Sequence, residues 1–98
     1  MKKSIIDTDR LDVAANRLRA ISHPMRIAII AMLEENQELN VTQIHTKLNI
    51  EQAATSHHLS ILKRKGILHS KRNGKENIYY LKDEALNRLV ECIQSCVD

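Results

Sequence analysis

Phenylalanine and tryptophan are absent from this 98-residue chain, and Tyr79 and Tyr80 are its only aromatic residues. The core is therefore expected to be aliphatic, filled by the Ile, Leu, Val, Ala and Met that occur throughout. Glycine is scarce as well. With only Gly66 and Gly74 present, a glycine-rich phosphate loop is excluded. No nucleophile–base pairing and no carboxylate constellation stands out, so neither an enzyme nor a cofactor is expected. The longest apolar stretch, Ile27 to Leu33, is far too short to span a bilayer. Met1-Lys2-Lys3 is basic, but the chain turns polar by Asp7, and no signal peptide is expected. Cys92 and Cys96 are the only cysteines; four positions apart, they cannot staple distant parts of a fold. A cytoplasmic protein with reduced thiols is the expectation, with no membrane partner.

The length suits one domain, spanning residues 1–98, with a single core. A monomer of this size with so few large side chains would be marginally stable, which favours a core shared in a dimer. Charge is unevenly spread. Residues 1–51 carry seven basic and seven acidic residues. Residues 52–75 carry six basic residues (Lys63, Arg64, Lys65, Lys71, Arg72, Lys75) and no acid, and residues 76–98 carry two basic and five acidic. The net charge of +3 thus originates in one central stretch, the footprint of a polyanion binder. A charge run is more often a solvated face, so its meaning depends on the elements that carry it.

The spacing of Leu11, Ala14, Ala15 and Leu18 predicts a first helix over about 8–21, capped by Asp7 or Thr8. Ser22-His23-Pro24 interrupts it. Pro24 fits the first turn of a second helix over about 24–35, which buries Ile27, Ile30 and Leu33 or their neighbours. Residues 36–40 read as a polar loop. A third helix follows over about 41–48, with Asn40 and Gln43 spaced as a capping box. After the tight turn Asn49-Ile50, a fourth helix is predicted from about Gln52 to Lys65, ended by Gly66. Two short helices joined by so short a turn form the helix-turn-helix pattern.

Projected at about 100° per residue, the fourth helix has two faces. Thr55, Leu59 and Leu62, with His58 at their edge, point inward. Gln52, Ala53, Ser56, His57, Ser60, Lys63 and Arg64 point outward, without a large hydrophobe or an acid. Small residues at the helix start allow close approach to a groove, and Gln, Ser and His offer donors and acceptors to base edges. Two runs around Asn73-Gly74 then predict a hairpin packed on the helices, its tip carrying Lys71, Arg72 and Lys75. A hairpin after such a helix is the wing of a winged helix, and the basic stretch becomes one helix for a major groove with one ribbon beside it. A fifth helix is predicted over about 83–97, with Leu86, Leu89, Val90, Ile93 and Val97 as its stripe. Together with Leu11, Ala14 and Leu18 of the first helix, this stripe is the expected dimer surface; the alternative is that both merely cover the monomer core. The expected fold is mainly α with a β-hairpin: a dimeric winged helix-turn-helix of five helices and a two-stranded wing.

Several stretches in register resemble the ArsR/SmtB family of bacterial winged-helix repressors over roughly Leu11 to Val97. They are Leu18-Arg19-Ala20-Ile21-Ser22-His23-Pro24-Met25-Arg26, Ser56-His57-His58-Leu59-Ser60-Ile61-Leu62, Gly66-Ile67-Leu68, and Arg72-Asn73-Gly74-Lys75 with Tyr79-Tyr80. The resemblance implies a homodimer that binds double-stranded operator DNA through the outer face of the fourth helix, in many members until a metal or another inducer releases it. It further implies that Gln52, Ala53, Ser56 and His57 meet bases while Lys63, Lys71, Arg72 and Lys75 meet phosphates. Glu51 departs from the Ser often found at the start of this helix. The family's thiol metal motif is missing, since Asn40-Val41-Thr42 occupies its place. Its last-helix zinc site is broken at Ala85, although Asp83 matches one ligand and Cys96 falls near another. Cys92 and Cys96, at i and i+4, could clamp a soft metal or be oxidised, or simply border the apolar stripe. The reading from another class is a winged helix used as a protein-interaction module without DNA binding, for which a neutral or apolar outer face would be expected.

Overall fold

The computed structural model describes residues 7–81, together with 88, 91, 92, 95 and 96. Local chemistry sets the element boundaries. Asp7 Oδ1 accepts the amides of Asp9 and Arg10 at the start of α1 (Thr8–Ile21). Such a cap satisfies amides that have no intrahelical partner. His23 caps α2 (Pro24–Asn36), its Nδ1 accepting the Met25 amide at 3.1 Å, and Pro24 occupies the first turn where a missing N–H costs nothing. Gln37, at φ 65°, ends that helix.

Strand β1 (Glu38–Asn40) leads into α3 (Val41–Leu48), where Asn40 and Gln43 form the expected reciprocal capping box. Asn49, in the left-handed region at φ 55°, turns the chain into α4 (Gln52–Arg64). Gly66, at φ +73°, carries it away toward β2 (His69–Asn73) and β3 (Glu76–Tyr80). The three strands form one antiparallel sheet in the order β1-β3-β2. Leu39 lies opposite Tyr79 in one pairing, and Ser70 lies opposite Tyr79 in the other.

Two expectations are corrected. The described residues hold four helices and three strands, not five helices and a two-stranded wing. β1 falls within the segment read as a polar loop. Three residues are too short to show a strand period, and the strand that recruits them is β3, where Leu39 pairs with the distant Tyr79. Of the expected fifth helix, residues 88, 91, 92 and 95 are helical, and the remainder lies outside the described residues. The hairpin turn is also centred one residue later than its Asn-Gly signal. Asn73 pairs with Glu76, so Gly74 and Lys75 form the loop, with Gly74 at φ +66°. Glycine at the first of two central positions suits a positive φ without a side-chain clash.

Ile21, Ile29, Ile30, Leu33, Ile44, Leu59, Leu62, Ile67 and Leu68 are fully buried, and Leu39 joins them from β1. Burying each such side chain contributes roughly 1.5–3 kcal/mol. Helix α1 takes little part. Only Ala20 and Ile21 at its end are buried, leaving most of its length outside the core.

Candidate nucleic-acid interface

Helix α4 is held to the body by one face. Thr55, His58, Leu59 and Leu62 are buried, and Thr55 returns its hydroxyl to the Glu51 carbonyl at 3.1 Å. His58 is clamped from α2: Arg26 donates Nε–H to its Nδ1 at 3.2 Å and a second N–H to the Ala20 carbonyl at 3.1 Å. The His23 ring lies 4.6 Å from that of His58. Burial, followed by the charges of His23, Arg26 and His57, lowers the His58 pKa and favours its neutral form. One arginine thus joins the end of α1, the start of α2 and the middle of α4.

The opposite face of α4 is open. Gln52, Ala53, Ser56, His57, Ser60, Lys63 and Arg64 are all exposed. Glu51 makes no side-chain cap, so the first-turn amides of α4 are left to an outside acceptor.

Strand parity separates the basic residues of the hairpin. Lys71 lies opposite Ile78 and shares its face with Tyr80 and Glu38. Its ammonium forms an ion pair with Glu38 and stands 5.7 Å from the centre of the Tyr80 ring. The Glu38 hydrogen bond and charge raise the Lys71 pKa. Arg72 lies opposite Asn77, on the other face, which carries Ser70 and the core-packing Tyr79. Lys75 is exposed at the tip.

On the Tyr79 face, a polar notch of about 320 Å³ opens between the start of α3, the outer face of α4 and β3. Thr42, Ser56, Lys75, Glu76 and Asn77 border it. A reading led by charge has no reason to select Thr42 or Asn77, because only the approach of α3 to β3 gives these neutral side chains a shared location.

Among the expected dimer residues, Leu11 and Leu18 are 49% and 46% exposed, and Ala14 is exposed beside them. Val13, absent from the sequence-based set, is 55% exposed. A groove of about 530 Å³ runs along this helix, floored by Val13, Ala14, Leu18 and Ile21. Leu86, Leu89, Val90, Ile93 and Val97 lie outside the described residues, as does Asp83. Cys92 and Cys96 are exposed one helical turn apart, the Cys96 amide donating to the Cys92 carbonyl at 3.1 Å. Among the described residues, no three His, Cys, Asp or Glu side chains gather as a metal site, and no helix is long and apolar enough to cross a membrane.

Residues 23–70 match the model of a known family described as "Bacterial regulatory protein, arsR family". An HTH-type transcriptional regulator of Methanocaldococcus jannaschii is 32% identical over 85 residues, which cover 87% of this chain and 96% of that one. The HTH-type transcriptional repressor SmtB of Mycobacterium tuberculosis is 40% identical over 80 residues. These cover 82% of this chain but only 58% of that one, so the present chain spans little more than half the length of this relative. The homodimeric winged helix-turn-helix DNA-binding domain of a possible ArsR-family regulator from Mycobacterium bovis superposes with a TM-score of 0.82. It is 26% identical and covers all of this chain and 90% of the other.

Proposed function

The chain belongs to the arsR family of bacterial regulatory proteins, and from that premise we propose how it works as a DNA-binding regulator of transcription. It acts as a homodimeric repressor. Each protomer lays the outer face of α4 in a major groove and its hairpin along the adjoining backbone. The observation that carries this reading is the exposed, acid-free face from Gln52 to Arg64, held in place by the inward-facing side of the same helix.

Gln52, Ala53, Ser56, His57 and Ser60 are assigned to base edges, while Lys63, Arg64, Arg72 and Lys75 supply phosphate contacts, with Lys71 near them. Leu11, Ala14 and Leu18 are assigned to the dimer contact, completed by Leu86, Leu89, Val90, Ile93 and Val97. The exposed apolar groove on α1 supports that assignment, because a face of this kind needs a cover. A regulator that reads DNA operates where the chromosome is, which places its work in the cytoplasm. A single domain over residues 1–98 is sufficient for all of these contacts.

The test is binding of labelled duplex from the promoter beside its own gene, compared with random duplex, between about 50 and 200 mM salt. Affinity should fall steeply over that range, as expected for several phosphate contacts. Absence of binding to either duplex at low salt overturns the reading in favour of a protein-interaction module. Changing Gln52 or His57 to Ala should cost roughly 1–3 kcal/mol on the promoter duplex and less on random DNA.

For release by an inducer, the candidates on this chain are the exposed thiols Cys92 and Cys96, one turn apart and open to a soft metal or an oxidant. Such reagents should free the DNA from the wild type and leave the complex of a doubly Cys→Ser variant intact. If both complexes respond alike, these thiols are not the sensor.

A further inference from the structure

We propose that the notch between α3, α4 and β3 seats one backbone phosphate of the bound duplex, with Thr42 and Asn77 as phosphate-binding residues alongside Lys75, next to the base-reading Ser56. The proposal rests on the DNA-binding reading above and deepens it.

The notch draws on three separate elements. Thr42 comes from the first turn of α3, Ser56 from the outer face of α4, and Lys75 and Asn77 from the hairpin. Its volume of about 320 Å³ gives room for a phosphodiester and part of its sugar. All four side chains are exposed, and each offers a hydrogen-bond donor: two hydroxyls, an amide and an ammonium. Backbone donors are present as well. The capping box engages the amides of Asn40 and Gln43, leaving those of Val41 and Thr42 in the first turn for an outside acceptor.

The position also fits an extended, negatively charged strand. Ser56 belongs to the face assigned to bases, and Lys75 stands at the hairpin tip. On the DNA-binding reading, the notch lies between the element that reads bases and the hairpin that meets the backbone, where a positioning phosphate contact is useful.

One negative group borders the site. Glu76 accepts a hydrogen bond from Asn40 Nδ2 at 3.2 Å, and Asn40 is itself engaged as the cap of α3. Its charge opposes a phosphate in the notch, which provides a readout of opposite sign from the donor residues.

The experiment uses the full chain with promoter and random duplexes, each also prepared with single methylphosphonates scanned along the backbone. Asn77→Ala and Thr42→Val should each weaken binding several-fold to both duplexes, since a phosphate carries no sequence information. Lys75→Ala should reduce the slope of log affinity against log salt by about 0.9. Glu76→Gln, which keeps an acceptor for Asn40, should tighten binding. One methylphosphonate position that weakens the wild type should cease to matter in Asn77→Ala. Thr42 and Asn77 are exposed, so these variants should retain the wild-type thermal midpoint. Wild-type affinity in both Asn77→Ala and Thr42→Val, or an unchanged methylphosphonate profile, overturns the notch while leaving the DNA-binding reading intact. Failure of the wild type to bind either duplex overturns both.

Discussion

Lys71 and Lys75 sit on the same hairpin, yet the sheet gives them different neighbours. Strand parity points Lys71 toward Glu38 and the Tyr80 ring, whereas Lys75 has the exposed tip. An exposed ion pair is screened by solvent, so Glu38 does little for stability. It does cancel a charge near the DNA face. Lys75→Ala should therefore flatten the salt dependence more than Lys71→Ala does, and Glu38→Gln should strengthen DNA binding by releasing Lys71. Titrations at several salt concentrations check this; equal slopes for the two Lys variants would mean that Lys71 leaves Glu38 for the DNA. A different residue-scale contribution comes from Leu59, fully buried beneath α4. Leu59→Ala should lower unfolding free energy by about 2–5 kcal/mol in urea titrations, through lost burial and the cavity left behind.

Each helix of the helix-turn-helix is fastened at a particular point. For α3 it is Asn40, which caps Gln43 and reaches Glu76 on β3. Asn40→Ala should cost about 1 kcal/mol of stability, measured by chemical denaturation. For α4 it is His58, which accepts the Arg26 hydrogen bond on Nδ1 and must be unprotonated there. Its folded pKa lies below the ordinary value of 6.5, first through burial and then through His23, Arg26 and His57. As pH falls below 6.5, the unfolded chain therefore takes up the proton more readily than the folded one. The His58 contribution is fully present above pH 6.5 and is lost as pH drops through the folded pKa. Denaturation midpoints at pH 7.5 and 5.5 should diverge in the wild type, and less so in His58→Gln, whose side-chain oxygen can still accept from Arg26. An identical decline in both would assign the pH response to other groups.

At the scale of the whole molecule, α1 is the element that the monomer leaves unfinished. Leu11, Val13 and Leu18 are about half exposed, and Val13 and Leu18 line a groove along the helix. Val13→Glu or Leu18→Glu should shift the protein to a monomer in sedimentation experiments, because a buried unpaired carboxylate opposes association. DNA affinity should fall in the same variants, since only one half-site can then be held at a time. Helix-turn-helix dimers place their two recognition helices about 34–36 Å apart, so the protected operator should be an inverted repeat with half-sites about one helical turn apart. A variant that remained dimeric and retained affinity would move the interface away from α1.

Legibility followed the range of the signal. The two faces of α4, the cap at Asn40, the break at Pro24 and the glycine end at Gly66 all depend on neighbours within a few residues. The sequence alone determines them, and with them the helix-turn-helix and its acid-free outer face. Tertiary structure decided what depends on distant partners. It made Glu38–Asn40 a strand by supplying β3, moved the hairpin turn to Gly74-Lys75 through the pairing of Asn73 with Glu76, and tied Lys71 to Glu38. It also brought Thr42 to Asn77 across the notch. Local periodicity cannot encode such contacts, because their geometry exists only after helices and sheet have packed on a common core.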